Sequence, residues 1–322
     1  MSITVYIAAI SILYSQSSAS ALIFHTSDGG KNWARENSAT PNNLNGVSVD
    51  IVSGIALAVG DKGTILRRNE DGTWVNVSPD GLSADLYSVA AGVSSIMCCG
   101  ADGTLLSSFD GGFSWRVWTD FGYENTDLYS INFDPTHPGS FLIAGENGFI
   151  YSSEEGELVQ TGSSSDFIAS CGMLCGGFPE IVLGRDGTAY HIRSDVNYNI
   201  GDTVFRGATE IVSGGGRYIA VGENGAVYRS LSDGVWESAS SVTTENLNDV
   251  TYLVWGLTAC AVGDCGTVLV SDDNGLTWGI VDIGMSRDFT AIAGNGAGEA
   301  YIVGKSAFSG ILNILPFRGA SH

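Results

Sequence analysis

A four-residue unit, Gly-x-x-Gly, recurs along this chain about every forty positions. It reads Gly60-Asp61-Lys62-Gly63, Gly100-Ala101-Asp102-Gly103, Gly145-Glu146-Asn147-Gly148, Gly184-Arg185-Asp186-Gly187, Gly222-Glu223-Asn224-Gly225 and Gly263-Asp264-Cys265-Gly266. A seventh copy has decayed to Gly304-Lys305-Ser306-Ala307. The first glycines lie 40, 45, 39, 38, 41 and 41 residues apart. A fixed period of this size means a solenoid, a propeller or an array.

Each copy is flanked by short apolar runs, such as Ile55 to Val59 before the first turn and Thr64 to Leu66 after it. Apolar, β-rich runs joined by a tight turn at Gly, Asn or Asp are hairpins. Their near-continuous apolar character predicts strands covered on both faces. Upstream of each hairpin comes another short strand, for instance Leu86-Tyr87-Ser88-Val89 or Leu247-Asn248-Asp249-Val250. Downstream comes an outer strand marked by Trp33, Trp74, Trp115, Trp236 and Trp278, with degraded members near Leu158 and Tyr198. Four strands per unit, repeated radially, predict an all-β fold, a β-propeller of four-stranded blades.

The sequence favours eight blades, with seven as the alternative. Ile3 to Ile7, Ile12 to Tyr14 and Leu22 to His25 align as three strands before Trp33. The last unit reads as three strands without an outer one. The repeat spans the whole chain, so residues 1–322 form a single propeller domain.

The charge balance is extreme. Fourteen Lys and Arg face 35 Asp and Glu, for a net charge of −21, and the lysines are Lys31, Lys62 and Lys305 alone. Such a surface repels nucleic acid and anionic membrane, because phosphate binding needs clustered cations. No eighteen-residue apolar run is present, so no membrane insertion is expected. Residues Ile3 to Tyr14 and Ala19-Ser20-Ala21 have the outline of a signal peptide. They lack a basic start, and polar residues interrupt them, so the sequence reads them as part of a blade. Cys98, Cys99 and Cys260 sit in apolar strands, and the pairs Cys171/Cys175 and Cys260/Cys265 lack metal or redox spacing. No metal site, cofactor or dependable disulfide is expected.

A second motif marks the turn into the outer strand. Ser108-Phe109-Asp110-Gly111-Gly112-Phe113-Ser114-Trp115 and Ser271-Asp272-Asp273-Asn274-Gly275-Leu276-Thr277-Trp278 share Ser-x-Asp-x-Gly-x-Ser/Thr-Trp, and Thr26 to Trp33 is one substitution away. The aspartate accepts N–H bonds across the turn, and the tryptophan packs at its base. This pattern resembles the BNR or Asp-box repeat of sialidase-like β-propellers. The loop Phe133 to Gly139 is similar to a loop common in such repeats. The layout also resembles the photosystem II assembly and stability factor family, single-domain propellers of similar length. The resemblance implies that Asp28, Asp110 and Asp273 stiffen turns on the face opposite the usual binding site.

Sialidases of this fold need an arginine triad, a Tyr–Glu pair and an acid/base aspartate. Phe205-Arg206-Gly207 and Phe317-Arg318-Gly319 do not match their arginine motif, and no catalytic residue is assigned. The photosystem assembly factors carry a basic patch, which three lysines do not provide. On the hairpin tips, Asp61, Glu146, Glu223 and Asp264 form a candidate acidic ring for a cation, a basic peptide or a neighbouring subunit. The loop Trp118 to Asn125 opens on the same face. Trp118, Phe121 and Tyr123 are its candidate binding residues, with Tyr123 expected to be the exposed contact, Phe121 its companion, and packing between blades the competing reading for Trp118.

The sequence therefore predicts a non-catalytic interaction or structural propeller, presenting one loop face to a protein or glycan partner. A virion or other assembly on an extracellular surface is its favoured setting. A drifted glycoside hydrolase or a photosystem assembly factor are the alternatives.

Overall fold

The computed structural model describes residues 20–307, apart from 51, 93–94, 120, 134–138, 155, 160, 174–176, 193, 212–216, 233–234 and 255–256. These residues form seven four-stranded antiparallel sheets, the blades of a propeller. Blades 1 to 6 start from inner strands Leu44–Val49, Leu86–Ala91, Leu128–Phe133, Phe167–Met173, Phe205–Ile211 and Leu247–Val254. Each runs outward in chain order through three further strands. No helix here is long and apolar enough to cross a membrane.

Blade 7 corrects the expected count of eight. Its two inner strands, Phe289–Gly294 and Ala300–Gly304, come from the end of the chain. Its two outer strands, Leu22–Thr26 and Ala34–Asn37, come from the beginning. Leu22 pairs with Gly304 and Thr26 with Ala300, so the early strands complete the last unit instead of opening an additional one. The remaining N-terminal strands expected at Ile3 to Tyr14 lie outside the described residues, as do 308–322.

The second strand of a blade is sandwiched between neighbouring sheets. All residues of Ala56–Gly60, Ile96–Gly100, Phe141–Gly145 and Ala300–Gly304 are buried. This is why those runs carry no polar alternation. Cys98, Cys99 and Cys260 are buried there as free thiols, and burial pushes all three up in pKa. Cys265 is exposed on a tip. Cys175, and the side chain of Cys171, lie outside the described residues.

The Gly-x-x-Gly unit answers two steric demands. The backbone N–H after its first glycine bonds the carbonyl that precedes the same blade's inner strand, as Asp61 does to Asn43 at 3.0 Å. A Cβ on Gly60 would lie 1.9 Å from that carbonyl oxygen. The second glycine is left-handed and faces the loop entering the next blade. A Cβ on Gly103, at φ +69°, would lie 2.4 Å from the Tyr123 carbonyl oxygen. Between them, Lys62, Asp102, Asn147, Asn224 and Cys265 hold φ of 52–56°.

The same turns latch neighbouring blades. The backbone N–H of Lys62 donates to Asp85 Oδ1, Asp102 to Asp127, Asn147 to Asp166, Asn224 to Asn246, Cys265 to Asp288 and Ser306 to Asn43, at 2.8–3.2 Å. Each acceptor stands just before the next inner strand. Between blades 4 and 5 that position is Val204, which has no side-chain oxygen. There Asp186 turns back on its own blade, accepting from Ser165 Oγ at 2.7 Å.

The Ser/Thr-x-Asp turns on the other face consume their carboxylates locally. Asp110 accepts from Ser108 Oγ at 2.8 Å, Ser114 Oγ at 2.6 Å and the Ser114 N–H at 3.0 Å. Asp273 does the same with Ser271 and Thr277. These bonds hold the Asp28 and Asp110 carboxyls down at about 2, led by Asn32 and Ser114 respectively.

Candidate functional site

The inner strands enclose a channel of about 1080 Å³, which includes the tip residues Asp61, Arg185, Asp264 and Lys305 in its wall. Three positions per blade shape its mouth on the Gly-x-x-Gly face. The shoulder precedes the inner strand, the lip is the second residue of that strand, and the tip follows the first glycine.

Blades 1 and 6 are built alike. In blade 1, shoulder Asn43 and lip Asn45 donate to the two oxygens of tip Asp61 at 2.7 and 2.9 Å. In blade 6, Asn246 and Asn248 donate to Asp264, both at 2.8 Å. Each lip asparagine also donates to the next blade, Asn45 to the Leu86 carbonyl at 3.0 Å and Asn248 to the Phe289 carbonyl at 2.7 Å. Thr290, the lip of blade 7, donates in the same way to the Leu44 carbonyl.

Other tips are compensated by ion pairs. Arg206, the lip of blade 5, binds tip Glu223 at 2.9 Å and Asn248 Oδ1 at 2.9 Å. Tip Lys305 binds shoulder Asp288 at 2.8 Å, and tip Arg185 faces shoulder Asp166 at 3.7 Å. Arg185 and Arg206 are the channel-lining arginines among the described residues, and each is tied to a carboxylate of its own blade.

Blades 2 and 3 differ. Their lips are Tyr87 and Tyr129, with ring centroids 5.7 Å apart. The Arg185 guanidinium sits 5.8 Å from the Tyr129 ring centre. Burial, then the charges of Asp127 and Asp85, push the Tyr87 hydroxyl up to about 12. Burial, then Asp166, Asp127 and Glu146, also raise Tyr129, with Arg185 opposing.

One channel-wall acid stands apart. Asp249, next to lip Asn248, accepts the N–H of Val250 at 2.8 Å and of Ile292, in the next blade, at 2.9 Å. Burial pushes its carboxyl up to about 7 against these two bonds. Ser88 and Ser130 occupy the same position in blades 2 and 3. They accept from Ile131 at 3.3 Å and Ser170 at 3.1 Å.

The structure thus places three of the four candidate tip acids, Asp61, Glu223 and Asp264, in intramolecular bonds. Glu146 has no such partner among the described residues. In the loop after blade 2, Trp118, Phe121 and Tyr123 line a groove of about 230 Å³ with Glu124. Tyr123 is more covered than expected, and Trp118 packs edge-on against Phe141 of blade 3 at 6.3 Å. Tyr123 packs edge-on to Phe149 at 5.1 Å and to Phe121 at 5.0 Å, in the seam with blade 3. Trp118 is 37% exposed, with its indole N–H on Ser107 Oγ at 3.0 Å. Sequence reading missed the lip and shoulder residues. The available signal was the second inner-strand position, which varies among Asn, Tyr, Ile, Arg and Thr while the residue before it is always Leu or Phe.

No protein-family model matches the chain, and no curated protein matches its sequence. Solved structures do match. One is YCF48 bound to D1 peptide, with a TM-score of 0.69, 18% identity, 87% of this chain and 95% of that one covered. Another is YCF48 from Cyanidioschyzon merolae, with a TM-score of 0.66, 14% identity, and 83% and 94% covered. At these identities the likeness is one of fold.

Proposed function

We propose that this protein is a non-catalytic, protein-binding propeller that receives a polypeptide segment at the channel mouth on its Gly-x-x-Gly face. The observation that carries the reading is the mouth itself. A channel of about 1080 Å³ opens among side chains whose identity changes from blade to blade on an otherwise uniform scaffold. Variation gathered at the shoulder, lip and tip positions around one channel mouth suits recognition. A propeller of similar fold binds a peptide, which supports the class of ligand. The groove beside Trp118, Phe121 and Tyr123 extends the surface outward from the mouth.

A displayed peptide library tests this directly. Selected peptides should bind the wild-type protein and lose binding to Ile168→Trp, which fills the channel wall. Failure to select any binder, or equal binding to the blocked variant, would sink the reading.

The likeness to YCF48 favours a photosystem assembly role as a specific version. Recovery of photosystem subunits from thylakoid extract by the immobilised protein tests it, and their absence rejects it. The glycan partner and the virion setting expected from sequence draw no support from the fold or its neighbours. The drifted-hydrolase alternative calls for clustered arginines or a carboxylate pair in the channel, and among the described residues Arg185 and Arg206 are each paired with a carboxylate.

A further inference from the structure

The mouth is electrically lopsided, and blades 2 and 3 make it so. In the other five blades a charged tip meets its complement: amides around Asp61 and Asp264, Arg206 at Glu223, Asp166 at Arg185, and Asp288 at Lys305. In blade 2 the tip is Ala101, whose N–H donates to the Asp85 carbonyl at 2.8 Å but whose side chain offers the Asp85 carboxylate nothing. In blade 3 tip Glu146 adds a second negative charge beside shoulder Asp127, whose backbone carbonyl accepts its N–H. Asp85 and Asp127 each spend Oδ1 on a blade latch. Among the described residues their Oδ2 atoms, and the carboxylates of Asp102 and Glu146, have no hydrogen-bond or ion-pair partner. This uncompensated charge surrounds the paired rings of Tyr87 and Tyr129, and it weighs on both hydroxyls.

We propose that this sector of the mouth takes an arginine side chain from the partner polypeptide. The inference rests on the reading of the mouth as a protein-binding site and names the chemistry of the occupant. Aromatic faces attract cations, and a planar guanidinium stacks on them while its N–H fork meets carboxylates. The molecule already shows this geometry internally, with Arg185 over Tyr129 and beside Asp166, and with Arg68 over Tyr301 and paired with Glu36. Tyr87, flanked by Asp85 and Asp127, repeats the arrangement without an internal cation. A metal ion fits less well, because among the described residues no three Asp, Glu, His or Cys side chains converge on a point.

The repeat supplies its own isosteric control. Asn43 and Asn246 hold the same shoulder position and accept the same latch. Asp85→Asn with Asp127→Asn should therefore remove the charge and keep the blades joined. The probe is a capped Ala-Gly-Arg-Gly-Ala peptide, titrated by calorimetry beside its citrulline and glutamate counterparts. The arginine peptide should bind about tenfold tighter than the citrulline one. The double Asn variant and Tyr87→Leu/Tyr129→Leu should each lose about tenfold, with the Asn variant unfolding at the wild-type midpoint. Glu154→Gln/Glu157→Gln removes as much charge from exposed positions on blade 3 and should change little.

Equal binding of arginine and citrulline peptides to the wild-type protein overturns the proposal without any variant. So does an equal loss in the Glu154/Glu157 control, which would mark general charge attraction. If a glutamate peptide or a library peptide fills the mouth and the arginine peptide does not, the occupant is wrong and the binding face stands. If no peptide is displaced by Ile168→Trp, both fall together.

Discussion

Blades 1 and 6, and blades 2 and 3, share one scaffold and differ at the three positions that shape the channel mouth, shoulder, lip and tip. All four have the Gly-x-x-Gly turn and the same close approach of glycine to the strand start. Where the lip is asparagine, the side chain is used up within the molecule, on the tip carboxylate and on the next blade's carbonyl. Where it is tyrosine, neither bond is made and a ring faces the channel. The lesson concerns what a polar residue in a repeat is for. An amide donor at this place is masonry, and an aromatic there is released from the masonry.

The largest expected effect tests whether the two sides truly share a scaffold. Gly60→Ala and Gly100→Ala force a Cβ to 1.9 and 2.1 Å from a carbonyl oxygen in blades 1 and 2. Each should cost about 3 kcal/mol or more in urea unfolding, and the two costs should agree. A tolerated substitution on one side only would break the comparison.

Next comes the aromatic loop. Tyr123→Ala removes a ring packed in the blade 2–3 seam and should cost about 3 kcal/mol. Trp118→Ala, more exposed, should cost about 1 kcal/mol and weaken peptide capture more than stability. Equal melting temperatures for the two variants would return Tyr123 to the role of an exposed contact.

The lip positions themselves should separate the sides. Asn248→Ala takes one of two amide donors from Asp264, removes the side-chain donor to the Phe289 carbonyl and leaves Arg206 one acceptor fewer. A loss of about 2 kcal/mol is expected. Tyr129→Ala should cost about half as much. Denaturant midpoints measure both, and the reverse order would show that the tyrosines carry the structure.

A further effect is in pH. Native Asp249 holds its proton up to about 7, whereas an unfolded aspartate releases it near pH 4, roughly. Between those values the native state binds more protons, so stability falls as pH rises from about 4 to about 7 and levels above that. A decline of about 3 kcal/mol from this group is expected. Asp249→Ser, copying blades 2 and 3, should flatten it, as read from unfolding midpoints at pH 5 and 7.5. An unchanged slope would place the titration elsewhere.

The propeller was legible because its glycines answer steric demands repeated in every blade. Close approaches at Gly60 or Gly103 cannot drift without cost, so they survive where tryptophans and turn aspartates have eroded. The blade count was less legible. Leu22 to His25 looks like any other strand, and its pairing with Ala300–Gly304 leaves no local trace. Tip acids next to glycine were easy to see, but their bonding was not, because Asn43 and Asn45 lie 18 and 16 residues away from Asp61. Tyr123 read as exposed because it sits in a polar loop. Phe149, which covers it, belongs to the following blade.

The closure of blade 7 also sets a clock. Leu22–Thr26 leaves the ribosome 278 residues ahead of its partner Ala300–Gly304 (300 − 22). At the usual pace of translation, about 5–20 residues per second, the first strand waits on the order of 15–55 seconds for its neighbour. Throughout that interval the growing chain is an open arc, with one edge of Leu22–Thr26 unpaired and able to take strands from other molecules. The last blade is therefore the step at which ring formation and aggregation compete, and a cell making this protein must guard its first strands until its final ones arrive.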